Sequence, residues 1–157
     1  MLEHVLVPID GSEVAERALD YARKILVPDG KITLLTAVDI PEYAVAPYYP
    51  IPMAYDVSNN DVMNSLVPQA NSYLQKTAES LIAAGYAVGV EAVIGEAAQS
   101  IVERADALEV DAIVMSTHGR SGITRWLLGS VANKVLNSAN CPVFIVPVRR
   151  MKGSDGA

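Results

Sequence analysis

The chain predicts a three-layer α/β domain, a five-stranded parallel sheet with helices packed on both faces. Three observations predict it. Short runs rich in Val, Ile and Leu, such as His4-Val5-Leu6-Val7-Pro8-Ile9 and residues 31–38 and 111–115, are nearly continuously apolar, as strands buried on both faces are. Between them lie segments whose apolar residues recur at helical spacing. The two patterns alternate along the chain, which is the signature of strand–helix–strand units. With 157 residues, 51% of them hydrophobic, a single domain can bury roughly two thirds of the surface of its unfolded chain.

The first strand ends at Asp10-Gly11-Ser12. Ser12 is a good N-cap, and Glu13 and Glu16 answer the dipole of the helix that follows. Val14, Ala15, Ala18, Leu19, Ala22, Ile25 and Leu26 mark its apolar face through residue 26, and Asp29-Gly30 closes the unit. Residues 31–38 form the second strand. Residues 40–60 hold Pro41, Pro47, Pro50 and Pro52 with Tyr43, Tyr48, Tyr49 and Tyr55. That proline density excludes a regular helix and leaves an excursion packed by its own tyrosines, a lid, or a partner surface. A helix is expected from the Asn/Asp cluster at 59–61 to Ala84, with Pro68 kinking it or moving its start later. Residues 86–94 read as the third strand. Gly95-Glu96 opens a helix with Ala97, Ala98, Ile101, Val102 and Ala105 on its apolar side. Strand four covers 111–115, a helix 130–138 and strand five 142–148. Residues 149–157 are expected to be a flexible tail on a domain of residues 1–148.

Composition and missing motifs narrow the function. Eighteen acidic residues against twelve basic give a net charge of −6, which argues against general attraction to nucleic acid or anionic lipid. No apolar run reaches about 18 residues, so no membrane span is expected. The opening residues carry no basic segment followed by an apolar one, so no secretory leader is expected either. A single cysteine, Cys141, suits a reducing cytosol and an inert thiol. With two histidines and that one cysteine, no zinc site is expected. No P-loop, no dinucleotide fingerprint after the first strand and no nucleophile elbow occurs.

What remains is the stretch from Ser116 to Val131. It offers glycines, hydroxyls, Arg120 and Arg125, and no carboxylate occurs between Met115 and the end of the last strand. Gly129-Ser130 precedes a helix whose first turn lacks acids, so its N–H groups can face an anion, phosphate above all. The first helix, with Glu13 and Glu16, would repel one. Asp10, at the end of strand one, is placed either to accept hydrogen bonds from ribose hydroxyls or simply to cap its own turn.

At these residues the chain resembles the universal stress protein family. Its nucleotide-binding members carry a glycine, two residues, a second glycine, nine residues, then Gly-Ser or Gly-Thr. Here the second glycine is Gly119 and the motif closes on Gly129-Ser130, while Ser116 stands where the family has its first glycine. Val5-Leu6-Val7-Pro8-Ile9-Asp10-Gly11-Ser12, Met115-Ser116-Thr117-His118-Gly119-Arg120, Leu127-Leu128-Gly129-Ser130-Val131-Ala132 and Cys141-Pro142-Val143 are similar to the family too. The resemblance implies a Rossmann-like sheet of order 3-2-1-4-5 and an adenine nucleotide, ATP or else AMP or ADP, with Mg²⁺ as a candidate companion. It implies that Asp10 holds the ribose, with Pro8 and Ile9 lining the same crevice, and that Ala37 meets adenine beside Val38. Met115 and Ser116 would border the nucleotide, and Gly119, Arg120, Gly129, Ser130 and Val131 would surround the phosphates. His118 is expected to orient the loop or make a polar contact rather than to catalyse, and no catalytic residue is assigned. The resemblance further implies a cytoplasmic homodimer built on residues 142–148, acting in stress response as a nucleotide-dependent regulator with an unidentified protein partner. A ligand-free interaction module of the same fold and a slow ATPase are the alternatives.

Overall fold

A computed structural model describes residues 1–39, 62–117 and 128–147. Among them five strands form one parallel sheet in the order β3-β2-β1-β4-β5. The elements are β1 (Leu2–Pro8), α1 (Glu13–Ile25), β2 (Leu26–Val38), α2 (Val67–Ala83), β3 (Ala87–Ile94), α3 (Ala97–Ala107), β4 (Ala112–Ser116), α4 (Ser130–Ser138) and β5 (Val143–Val146).

Side-chain alternation along the strands sorts the core into two layers. Val5, Val7, Ile32, Leu34, Ala112 and Val114 face α1 and α2, which contribute Ala15, Ala18, Leu19, Ala22, Leu74, Ala78 and Leu81. Leu6, Leu35, Ile113 and Met115 face α3 and α4, which contribute Ala98, Ile101, Ala105, Ala132 and Val135. The near-continuous apolar runs in the sequence are therefore strands with a helix layer on each side. Thr33, 2% exposed, is the polar residue deepest among them, and the His4 ring meets its hydroxyl at 2.8 Å.

One expectation shifts. β2 begins at Leu26 rather than residue 31. Leu2 pairs with Leu26 and His4 with Lys31, so the intervening residues bulge out of register. Asp29 turns there with φ 66, and a Cβ on Gly30 would sit 3.0 Å from the Leu26 side chain and the Val27 carbonyl. Tertiary pairing with β1 thus starts the strand immediately after the helix, where local sequence suggests a turn. The start expected at residues 59–61 for the helix after the excursion lies outside the described residues. A single π-helical turn, Val62–Leu66, leads into α2, and Pro68 lies in the first turn of that helix, where a missing N–H is harmless. The excursion at 40–60 and the tail at 149–157 lie outside the described residues.

β1 and β4 lie side by side at the centre of the sheet, paired in parallel at Val5↔Ala112 and Leu6↔Ile113, so their carboxyl ends emerge at the same edge. From β1 the chain runs outward to β2 and β3. It then crosses under the other face to β4 and β5. The reversal places a crevice between the loops that leave β1 and β4. At the opposite end, Asp111 ties the two strands: its carboxylate accepts from the Glu3 and His4 N–H groups at 2.8 and 2.9 Å, and its own N–H donates to the His4 carbonyl at 2.9 Å.

Candidate functional site: a crevice at the switch between strands one and four

A cavity of about 320 Å³ opens at this reversal. It is lined by Pro8, Ile9 and Asp10 from the end of β1, Met115, Ser116 and Thr117 from the end of β4, and Gly129, Ser130, Val131 and Ala132 from the start of α4. Ala15 of α1 and Ala97 and Ile101 of α3 complete it. Most of the predicted site residues with described positions therefore meet in one place. Ala37 and Val38 do not line it. They lie at the end of β2, half-buried, opposite Val93 and Ile94 of β3, and the Val38 carbonyl accepts from the Gly95 N–H at 3.0 Å. His118, Gly119 and Arg120 lie outside the described residues, as do Arg125 and Trp126.

The wall formed by β1 is held by its own turn. Ile9 donates its N–H to the Leu35 carbonyl at 2.9 Å, and the Thr36 hydroxyl donates to the Ile9 carbonyl at 2.8 Å. Asp10 Oδ1 accepts from the Ser12 N–H at 2.9 Å and also from the Ser12 hydroxyl. The Ser12 hydroxyl in turn accepts from the Ala15 N–H at 3.1 Å, capping α1. Asp10 thus orders the helix entry while presenting the one carboxylate among the described lining residues. Its capping role is a fact of the fold; a ligand role would be additional.

The opposite wall is electrostatically different. Among the described residues α4, which starts at Gly129, has no side-chain cap and no acid in its first turn, so none of them answers the positive end of its helix dipole. The other two helices that line the crevice, α1 and α3, are answered. α1 has Ser12, Glu13 and Glu16. α3 has Glu96, whose carboxylate accepts from Ala98 N and Gln99 N at 3.3 and 2.8 Å. Those backbone bonds, the Gln99 one foremost, hold the Glu96 carboxyl below its usual range. Within the crevice the start of α4 is the place where an anion is favoured. Backbone bonds fix this wall too: Gly129 donates to the Thr117 carbonyl at 2.9 Å and Thr117 to the Val146 carbonyl at 3.1 Å.

Ser116 ends β4 opposite Val146 and is 9% exposed. It is not among the described residues with positive φ, so a serine fits this backbone without strain. Cys141 is half-buried against the α4 side of the core, and burial pushes its thiol upward, which keeps it protonated and unreactive.

Ala15, Ala97, Ile101, Thr117 and Ala132 line the cavity without having been singled out in the sequence. The alanines and Ile101 read only as the apolar faces of their helices, which also describes them correctly. Thr117 had a usable signal, since it follows Ser116 directly inside the hydroxyl-rich segment.

An open, doubly wound parallel sheet with its crevice past the ends of the central strands defines a class of α/β protein in which that crevice is the usual ligand position. Within this class, the universal stress protein family matches the chain over residues 1–147. Universal stress protein MJ0531 of Methanocaldococcus jannaschii is 31% identical over 147 residues, covering 93% of this chain and 82% of the relative. The solved structure of hypothetical protein MJ0577 has a TM-score of 0.80 at 28% identity and covers 96% of this chain and 99% of that one. A solved universal stress protein in complex with cAMP has a TM-score of 0.65 at 27% identity, covering 92% and 97%. The chain belongs to the universal stress protein family.

Proposed function

We propose that this protein binds an adenine nucleotide, ATP in preference to AMP or ADP, in the crevice between β1 and β4, and that it works in the cytoplasm as a nucleotide-dependent regulator in stress response. The observation that carries this reading is the start of α4, uncapped and free of acids, facing across a 320 Å³ cavity to a carboxylate at the end of β1. The first attracts phosphate; the second suits ribose hydroxyls. The cAMP complex of a relative 27% identical to this chain supports an adenine nucleotide as the ligand class. Pro8, Ile9, Met115 and Ser116 would then border the nucleoside, and Gly129, Ser130 and Val131 the phosphates, with Gly119, Arg120 and His118 supplied by the loop between them. Ala37 and Val38 would meet the base where it extends past the cavity toward β2. Mg²⁺ would accompany ATP through phosphate oxygens and water. No catalytic residue is assigned.

The working form is proposed to be a homodimer through residues 142–148. Supporting it, β5 pairs among the described residues only with β4, at the end of the sheet, and Phe144 on it is 43% exposed. An apolar edge strand of this kind calls for a cover.

A second reading, a ligand-free interaction module, is favoured by the bonds that Asp10 makes to Ser12 and Gly129 to Thr117, which give both residues a purely structural use. Replacing Ser130, an exposed residue in the first turn of α4, by Glu separates the two. The new carboxylate complements the helix dipole but meets any phosphate head-on. Ser130→Glu is expected to leave the melting temperature unchanged or raised, and to weaken ATP binding in calorimetry at least about tenfold. Wild-type protein that releases no nucleotide after purification and gives no heat with ATP would favour the module.

A further inference from the structure

We infer that Lys134 is a specificity-determining residue of this crevice: paired with Glu96 in this structure, it turns on nucleotide binding to the phosphates beyond the first and so makes the protein discriminate ATP from AMP. The inference rests on the nucleotide reading above.

Among the described residues that line the cavity there is no lysine or arginine, and Asp10 adds a negative charge. The start of α4 supplies only about half an elementary charge. That is less than even one phosphate carries, and a triphosphate adds negative charge beyond what the described lining residues and the proposed Arg120 together offset. Lys134 is the cation on the same helix. It lies four residues after Ser130, which lines the cavity, so the two side chains share one face of α4. Helical side chains lean toward the N-terminus, which for Lys134 is toward the crevice. The ammonium already extends that way, since it meets Glu96 Oε1 at 3.4 Å, and Glu96 adjoins the cavity-lining Ala97.

The Lys134–Glu96 contact suits a lysine that can leave. It is a single long contact between side chains that are 62% and 43% exposed, the kind of pair that contributes little. Glu96 does not depend on it, because the carboxylate is held by the Ala98 and Gln99 N–H groups at the start of α3. The carboxylate therefore stays charged and in place when Lys134 swings to a ligand. In the occupied state it would sit beside the phosphates as a modest repulsive charge, partly screened by the lysine. The structure so provides a cation that can move between two anions on a fixed frame.

Titration calorimetry with ATP and with AMP, without added magnesium and at low salt, tests this on the full chain. Lys134→Gln is expected to weaken ATP roughly fivefold while leaving AMP within about twofold, and Lys134→Arg to keep the wild-type ratio. Glu96→Gln is expected to strengthen ATP a few-fold, with a smaller gain when Lys134 is already Gln. The wild-type preference for ATP over AMP should shrink as salt rises, and the Lys134→Gln preference should shrink less. Equal losses for ATP and AMP, or none for either while the wild type binds both, would overturn the role of Lys134 and leave the crevice reading standing. A wild-type protein silent to both nucleotides would overturn both.

Discussion

His4 is a half-buried residue near the start of the central strand β1, with its ring against the Thr33 hydroxyl. Burial lowers its pKa from 6.5, the nearby Lys31 adds to the lowering, and Asp111 opposes it. A base whose pKa falls on folding holds fewer protons in the native state than in the unfolded one, so acidification favours unfolding. Stability is therefore expected to decline as pH drops below about 6.5 toward the native value, before the acid limb begins. Asp111 has the same sign of dependence, at lower pH. Its carboxyl is held below the usual 3.8, first by the His4 N–H and then by the Glu3 N–H, so its contribution persists until pH falls through that lowered value. Urea unfolding between pH 7 and 5 should show a shallower loss for His4→Gln than for the wild type. Equal slopes would place the titration elsewhere. None of this was legible at His4 from sequence, where it read only as the start of an apolar run; the Thr33 contact joins residues from two strands.

At the scale of elements, helix ends were well signposted where a side chain performs the capping. Ser12 accepts from Ala15 N as its type and place suggest, and Glu96 caps α3. The end of α3 carried no such sign. Val110 N bonds to Ala105 O at 3.2 Å and Glu109 N to Asp106 O at 3.1 Å, the crossed pair of a Schellman end. The left-handed position, φ 49, is taken by Glu109 instead of a glycine. A non-glycine residue there costs about 1 kcal/mol. Glu109→Gly, discounted for the looser unfolded chain, is expected to stabilise the protein by roughly 0.5–1 kcal/mol. A drop in the urea midpoint would show that the Glu109 side chain does something its backbone strain conceals.

For the whole molecule, the order of strands sets both the edge proposed for the ligand and the edge proposed for association. Helices cover both faces of the central strands, while β5 at the margin leaves Phe144 half uncovered, between the partly buried Val143 and Ile145. Under the homodimer proposal, Phe144→Glu puts a charge into a self-complementary strand contact and opposes its own copy across the two-fold axis. Sedimentation equilibrium should then show a dimer for the wild type and a monomer for the variant, with far-ultraviolet dichroism unchanged. A variant that stays dimeric would move the interface to another surface.

Alternating apolar and amphipathic segments were enough to establish five strands, the helices between them, and a parallel sheet buried on both sides, because those patterns answer to local periodicity and to the need to cover two faces. The acid-free start of α4 was also legible, since helix dipole and first-turn composition belong to one short segment. Only the tertiary structure decided that Ala15, Ala97, Ile101 and Ala132 wall the same cavity as Asp10 and Ser130, and that Lys134 meets Glu96. These residues come from helices on both faces of the sheet. Their meeting depends on the reversal of strand order about β1, a long-range pairing that leaves no periodic mark on the residues it brings together.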